Sequence, residues 1–172
     1  MKTSLLGFGI RFALGFFVLA AGFEAARGTA FERLVIEDGV LVPTARVVNA
    51  ISPGAILMRS PRVIVSGNAR LHVTRGCEGI EMLLLLAAAI VAYPASLRRR
   101  SCGLLVGSVL VFVLSIARLT GLVFTLRYWP GGWEAMHGLL MPVVPVIAIA
   151  AYFLHWSTSG TGSRSIGRPD AA

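Results

Sequence analysis

Four long apolar runs alternate along the chain with short polar or charged stretches. Ser4–Phe23, Ile80–Leu97, Gly103–Leu126 and Gly138–Trp156 each approach the ~20 apolar residues that a membrane-spanning helix needs. The first run is broken by Arg11, which can snorkel to the near interface on the side of Lys2. A rival reading makes Met1–Arg11 the basic start of a secretory signal, Phe12–Ala21 its apolar core and Ala21–Ala26 its cleavage zone. The second run carries Pro94 near its end and stops at Arg98-Arg99-Arg100, while the third holds one charge, Arg118. The fourth contains Pro142 and Pro145, which spanning helices tolerate.

Between the first two runs the pattern changes. Residues 24–76 hold seven arginines and four acidic residues, punctuated by Pro43, Pro53 and Pro61. Short β-type runs follow one another there: Val40-Leu41-Val42, Ala45–Ile51, Ala55–Met58, Arg62–Ser66 and Ala69–Thr74. Gly67-Asn68 suits a two-residue hairpin turn, because both residues tolerate positive φ. Arg70, His72 and Thr74 then share one strand face, with Leu71 and Val73 on the other. The pattern predicts an integral membrane, mainly α protein with about four transmembrane helices and a small β-containing extracytoplasmic cap. Its expected parts are a first spanning helix or signal anchor (1–23), a β-rich cap (24–76), a three-helix transmembrane core (77–156) and a disordered cytoplasmic tail (157–172).

Composition agrees with a bilayer and excludes most alternatives. Hydrophobic residues make up 56% and charged residues 14%, with a mean hydropathy of +0.78. Soluble domains run at about 45–50% apolar and ~25% charged, and disorder needs the opposite bias. The formal charge is +8, with Arg supplying 15 of the 16 Lys+Arg. These arginines are scattered, without an aromatic-interleaved platform, so nucleic acid is not the expected partner; anionic membrane lipid is.

The triple arginine fixes an expected orientation, since basic clusters stay on the cytoplasmic side. Both termini then lie inside, and residues 24–76 and 127–137 lie outside. Three sequence-distant residues fall in one layer near the outer surface. Cys77 opens the second span, His137 opens the fourth, and Arg118 sits eight residues below the outer end of the third, about 12 Å down.

A cysteine, a histidine and an arginine suit acyl transfer. The thiolate attacks, and nearby cations favour it over the thiol. Histidine activates the thiol or protonates a departing amine. Arginine keeps its proton and serves as a fixed charge for an oxyanion or a clamp on the thiolate. Arg75 adds a cation close to Cys77, and Gly76 and Gly79 let a substrate backbone approach. His72, five residues before Cys77, competes with His137 as the base. The plainer reading pairs Arg118 with Glu78, Glu81 or Glu134 to hold helices together. Yet a membrane-interior arginine costs ~2.5–3.5 kcal/mol even on the lenient insertion scale, which makes function its default reading. Cys102 follows the triple arginine, about a bilayer away from Cys77, so the two cannot form a disulfide. His155, beside Trp156, reads as an interfacial anchor. No metal site is expected, because a zinc centre needs more ligands at usable spacing, and no cofactor is implied.

At these residues the chain resembles the exosortase/archaeosortase family of membrane transpeptidases, in a small subclass resembling exosortase H. The likeness rests on a Cys-X-Gly-Ile motif opening a span after a β segment (Cys77-Glu78-Gly79-Ile80), an arginine near the outer end of the next span and a histidine opening the last. It covers roughly residues 60–156. The resemblance implies Cys77 as nucleophile, with Arg118 and His137 completing a triad. It also implies substrate proteins that end in a short sorting motif, a spanning helix and a basic cluster, cleaved at the outer face of a bacterial inner membrane. Two positions depart from the family pattern. Ser115 stands where an Asn often precedes the arginine by three residues. Glu78 follows the cysteine where a small or uncharged residue is common, and its anion disfavours a neighbouring thiolate. The alternative function is a non-enzymatic inner-membrane assembly or scaffold subunit for envelope or exopolysaccharide biogenesis.

Overall fold

The computed structural model describes residues 5–53, 57–60, 63–66, 69–72 and 78–159, with the three strands described by backbone only. The chain is mainly helical. Among the described residues, three helices are long and apolar enough to cross a membrane: Leu5–Ala25, Leu97–Tyr128 and Pro130–Thr158. The expected count of four is therefore corrected. The second apolar run forms a helix of only 13 residues, Ile80–Ala92, about 20 Å long against a hydrocarbon core of ~30 Å. Pro94 explains the early stop. It forces Tyr93 into extended backbone, with ψ at 135°, and the helix ends one residue before it.

The principal helices are α1 (Leu5–Ala25), α4 (Ile80–Ala92), α5 (Leu97–Tyr128) and α7 (Met141–Thr158). Helix α4 contacts the other three, running antiparallel to α1 and α5 and parallel to α7. At one end, Phe8 of α1 stacks on Phe153 of α7, and Tyr93 meets both Phe153 and Trp156 edge-on. The start of α1 and the end of α7 therefore share the triple-arginine end. The arginines do more there than carry charge. Arg100 donates from Nη2 and Nε to the Tyr93 carbonyl, at 2.9 and 3.2 Å. Arg99 donates to the Trp156 and Ser157 carbonyls and lies over the Trp156 ring. Both thus satisfy carbonyls at helix C-termini, where cations also suit the helix dipole.

The interior divides into two apolar cores stacked along the bundle. The one nearer the arginine end gathers Met82, Leu86, Ile90, Val111 and Ile149. Close approach there depends on Gly103 and Gly107 of α5. A Cβ on Gly107 would lie 2.6 Å from Leu86 and 3.0 Å from Tyr152, and one on Gly103 would run into the Trp156 indole. The Tyr152 hydroxyl donates to the Gly103 carbonyl at 2.7 Å.

The other core joins α5 to the segment after α1, and here the expected β-rich cap is corrected. Residues 30–51 are helical: α2 (Ala30–Glu32), a π-helical stretch Arg33–Leu41, and α3 (Val42–Ile51). Val40-Leu41-Val42 and Ala45–Ile51, read as β runs, are helix. Ile36, Val40, Leu41, Thr44, Ala45 and Val48 are buried, a helical spacing, and the apolar ones pack with Leu119, Leu122 and Val123 of α5. Tertiary burial on this stripe outweighs the weak preference of β-branched residues for strands. Among the described residues, strands occur only later, as an antiparallel meander of β1 (Leu57–Ser60), β2 (Val63–Ser66) and β3 (Ala69–His72). Ser66 pairs with Ala69, whereas Gly67-Asn68 lies outside the described residues, as does most of the tail after Ser157.

Both π-helical stretches end two residues before a proline. Arg33–Leu41 precedes Pro43, and Met136–Leu140 precedes Pro142. In an α-helix the proline ring collides with the carbonyl four residues back. Here the Val42 N–H reaches Glu37 and the Met141 N–H reaches Met136, five residues back in each case. The wider turn makes room for the ring without breaking the helix.

Candidate functional site

Ser115 lies between the two cores, one turn after Val111 and one before Leu119. Against it sits Gly79, the residue that starts α4. Two independent features demand glycine there. Its φ is +82°, a left-handed value that costs a side chain ~1–2 kcal/mol. An added Cβ would also overlap Ser115 Oγ and lie 3.1 Å from its Cβ. Glu78 is 2% exposed, so the chain entering α4 is buried against α5 rather than free in solvent. Glu78, Gly79 and Ser115 are thus brought to one place.

Arg118 follows Ser115 by three residues, on the same helical face. It is 7% exposed, inside a helix with the composition of a membrane span. It also forms part of the wall of a cavity of about 200 Å3 between α5 and α7, together with Leu114, Ala117, Leu140, Met141, Val144 and Pro145. One turn farther along α5, Gly121 lets the Met141 methyl approach; a Cβ there would lie 2.6 Å from it.

His137 lies on the π-helical stretch before Met141, half-buried, with its imidazole stacked on the Trp133 indole at 4.9 Å and 17°. Counting residues through the Gly121–Met141 contact puts the His137 backbone roughly 10 Å farther from the triple-arginine end than the Arg118 backbone. Cys77 and Arg75 lie outside the described residues, and only the backbone of His72 is described, at the end of β3. Cys102 is exposed, 13 residues before Ser115 on α5, which is about 20 Å along the helix. His155 is exposed at the arginine end.

Near the end of the bundle opposite the triple arginine, Arg27 pairs with Glu24 and, at 3.5 Å, with the buried Glu32, whose other oxygen accepts the Gly28 N–H at 2.7 Å. Sequence reading passed over this cluster, and also over Trp133 and the α5–α7 cavity. The cavity walls are apolar residues indistinguishable by type from lipid-facing ones. For Trp133 a signal existed, because it stands four residues before His137, one helical turn away.

These features define a multi-pass membrane protein with a buried, charged layer where two helices and a π-turn meet. The family comparison makes this specific. Residues 54–156 match the model of the transmembrane exosortases, and the chain belongs to that family. No curated protein and no solved structure matches it.

Proposed function

We propose that the chain is a membrane-embedded cysteine protease and transpeptidase that cleaves C-terminal sorting signals at the outer face of a bacterial cytoplasmic membrane. Exosortases are generally thought to work as cysteine transpeptidases. The observation that carries this reading is the buried Arg118 one turn from Ser115, which itself packs on Gly79, two residues after Cys77. A guanidinium held within the bilayer beside a cysteine-bearing segment is the group that acyl transfer needs for its oxyanion.

In this mechanism the Cys77 thiolate attacks the scissile carbonyl carbon, and the carbonyl electron pair moves to oxygen, facing Arg118. The tetrahedral species collapses, the C–N bond breaks, and protonated His137 gives its proton to the leaving amine. The result is a thioester on Cys77. An acceptor amine then attacks the thioester carbon and passes a proton to His137 as the thiolate departs. Ser115 orients the guanidinium, a weaker support than an amide, while Arg75 counters the Glu78 anion.

The test couples processing to labelling. In cells co-expressing a candidate substrate, Cys77→Ala and Arg118→Gln abolish processing, and His137→Ala reduces it by ~10²-fold or more. A membrane-impermeant maleimide labels Cys77 and spares Cys102. Continued processing in the Cys77→Ala protein refutes the mechanism.

A further inference from the structure

The cavity between α5 and α7 has a use that the mechanism leaves open. Its walls are Leu114, Ala117, Leu140, Met141, Val144 and Pro145, all apolar, and Arg118. The cavity walled by Phe12, Leu86 and Phe153 is wholly apolar, as a lipid-filled gap between helices requires, and the one between α1 and α4 is lined by Glu24, Arg27, Glu78 and Glu81; the Arg118 cavity instead sets a single cation in an otherwise apolar wall. At about 200 Å3 the Arg118 cavity is smaller than the ~300–1,000 Å3 of small-molecule pockets. It is comparable with an apolar cavity of ~150 Å3 that holds benzene, so it has room for one side chain.

We infer that this cavity is a specificity subsite, receiving the apolar side chain of the substrate residue that bears the scissile carbonyl. The inference rests on the proposed acyl-transfer role of Arg118. One residue's carbonyl oxygen and side chain are both attached close to the same backbone, so a carbonyl held by Arg118 brings its side chain against the cavity that Arg118 walls. The polar wall matches the oxygen, and the apolar walls match an aliphatic or small aromatic group. The residue preceding the cut is therefore apolar and of leucine-like size, and a charged or indole-sized residue is rejected. Val144, on the exposed face of α7, and Ala117, on the exposed face of α5, set the depth.

The experiment uses the full chain in detergent and reads alkylation of Cys77 by intact mass. The probes are N-acetylated glycyl, leucyl, aspartyl and tryptophanyl chloromethyl ketones, whose ketone engages an oxyanion group as the scissile carbonyl does. Each rate is divided by that of iodoacetamide, which has no side chain to place. The leucyl reagent is expected to outrun the glycyl reagent by about tenfold or more, since each buried methylene is worth roughly a factor of four. Aspartyl and tryptophanyl reagents fall below glycyl. Val144→Phe, which fills the cavity from α7, cuts the leucyl-to-glycyl ratio to near one. Ala117→Leu does the same from α5, so the conclusion does not depend on one variant folding. A ratio near one in the unaltered chain, or a high ratio that survives both substitutions, overturns the subsite while leaving Cys77 as nucleophile. Failure of every reagent to modify Cys77 overturns the subsite and the underlying mechanism together.

Discussion

Replacing Gly79 by alanine perturbs two things at once, and the structure gives each a size. The left-handed backbone, with φ at +82°, costs a residue with a Cβ ~1–2 kcal/mol. The new methyl also overlaps Ser115 Oγ and sits 3.1 Å from Ser115 Cβ, so α4 must move away from α5. Overpacking of this kind costs ~1–3 kcal/mol. The expected loss is ~2–5 kcal/mol, large against the stability of a small protein. Ser115→Ala alone removes a hydroxyl and costs ~1 kcal/mol or less. In the double variant the worst overlap is gone and only the backbone term and the 3.1 Å contact remain. A double-mutant cycle should therefore show the second substitution recovering ~1–2 kcal/mol of the first. The assay is unfolding of the four proteins in one detergent, with processing measured in parallel. Because Cys77 is two residues away, processing in Gly79→Ala should fall by ~10²-fold, the cost of about 1 Å of misplacement, and rise again in the double variant. Additive stabilities, within ~0.5 kcal/mol, would falsify the claim that Ser115 is what excludes a side chain at Gly79.

Other substitutions probe the rest of the scaffold. Gly107→Leu drives a side chain into Leu86 and Tyr152 and should lower the thermal midpoint far more than Gly9→Leu, where a Cβ meets only open space; equal effects would rule out close packing of α5 as the reason for Gly107. Arg100→Gln should cost ~1 kcal/mol through the lost bonds to the Tyr93 carbonyl, measured by unfolding in detergent, while exposed Arg98→Gln leaves the midpoint unchanged. Trp133→Ala removes the stack on His137, worth ~0.5–1.5 kcal/mol; processing should fall while Cys77 still reacts with maleimide, and unimpaired processing would remove Trp133 from the site.

How much of this was legible in the sequence depends on which force set each element. The spans at Ser4–Phe23 and Gly103–Leu126 announced themselves because burial in lipid needs only length and apolarity. Ile80–Leu97 passed the same test yet yields a 13-residue helix, because Pro94 acts on backbone geometry that hydropathy does not record. In residues 24–76, reading short β-branched runs one at a time missed the stripe from Ile36 to Val48, whose helical period shows only across the full 13-residue window. At the site, the placement of Arg118 and His137 toward the end of the bundle opposite the triple arginine could be counted off in residues, though their backbones stand ~10 Å apart in depth rather than in one layer. The Gly79–Ser115 contact could not, since a glycine beside a cysteine reads equally as room for substrate or room for a neighbouring helix.

The π-turns carry the same lesson in a form that sequence can hold. Gly39-Val40-Leu41-Val42-Pro43 and Gly138-Leu139-Leu140-Met141-Pro142 share the spacing Gly-x-Leu-x-Pro. The glycine is the residue four before the proline, whose carbonyl the ring would strike. In both places the helix continues by reaching five residues back instead of four. One of these turns presents Ile36, Val40 and Leu41 to α5; the other carries His137, about one turn before Leu140 and Met141 of the cavity wall. A π-turn adds a residue to the helical repeat, so every side chain beyond it is rotated relative to an uninterrupted helix. His137 lies within such a turn and Val144 beyond it. Replacing Pro142 by alanine removes the reason for the wide turn and lets the helix relax to its ordinary repeat. If His137 is aimed by that turn, Pro142→Ala should impair processing without lowering stability, a separation that a proline serving only to end or stiffen the helix would not produce.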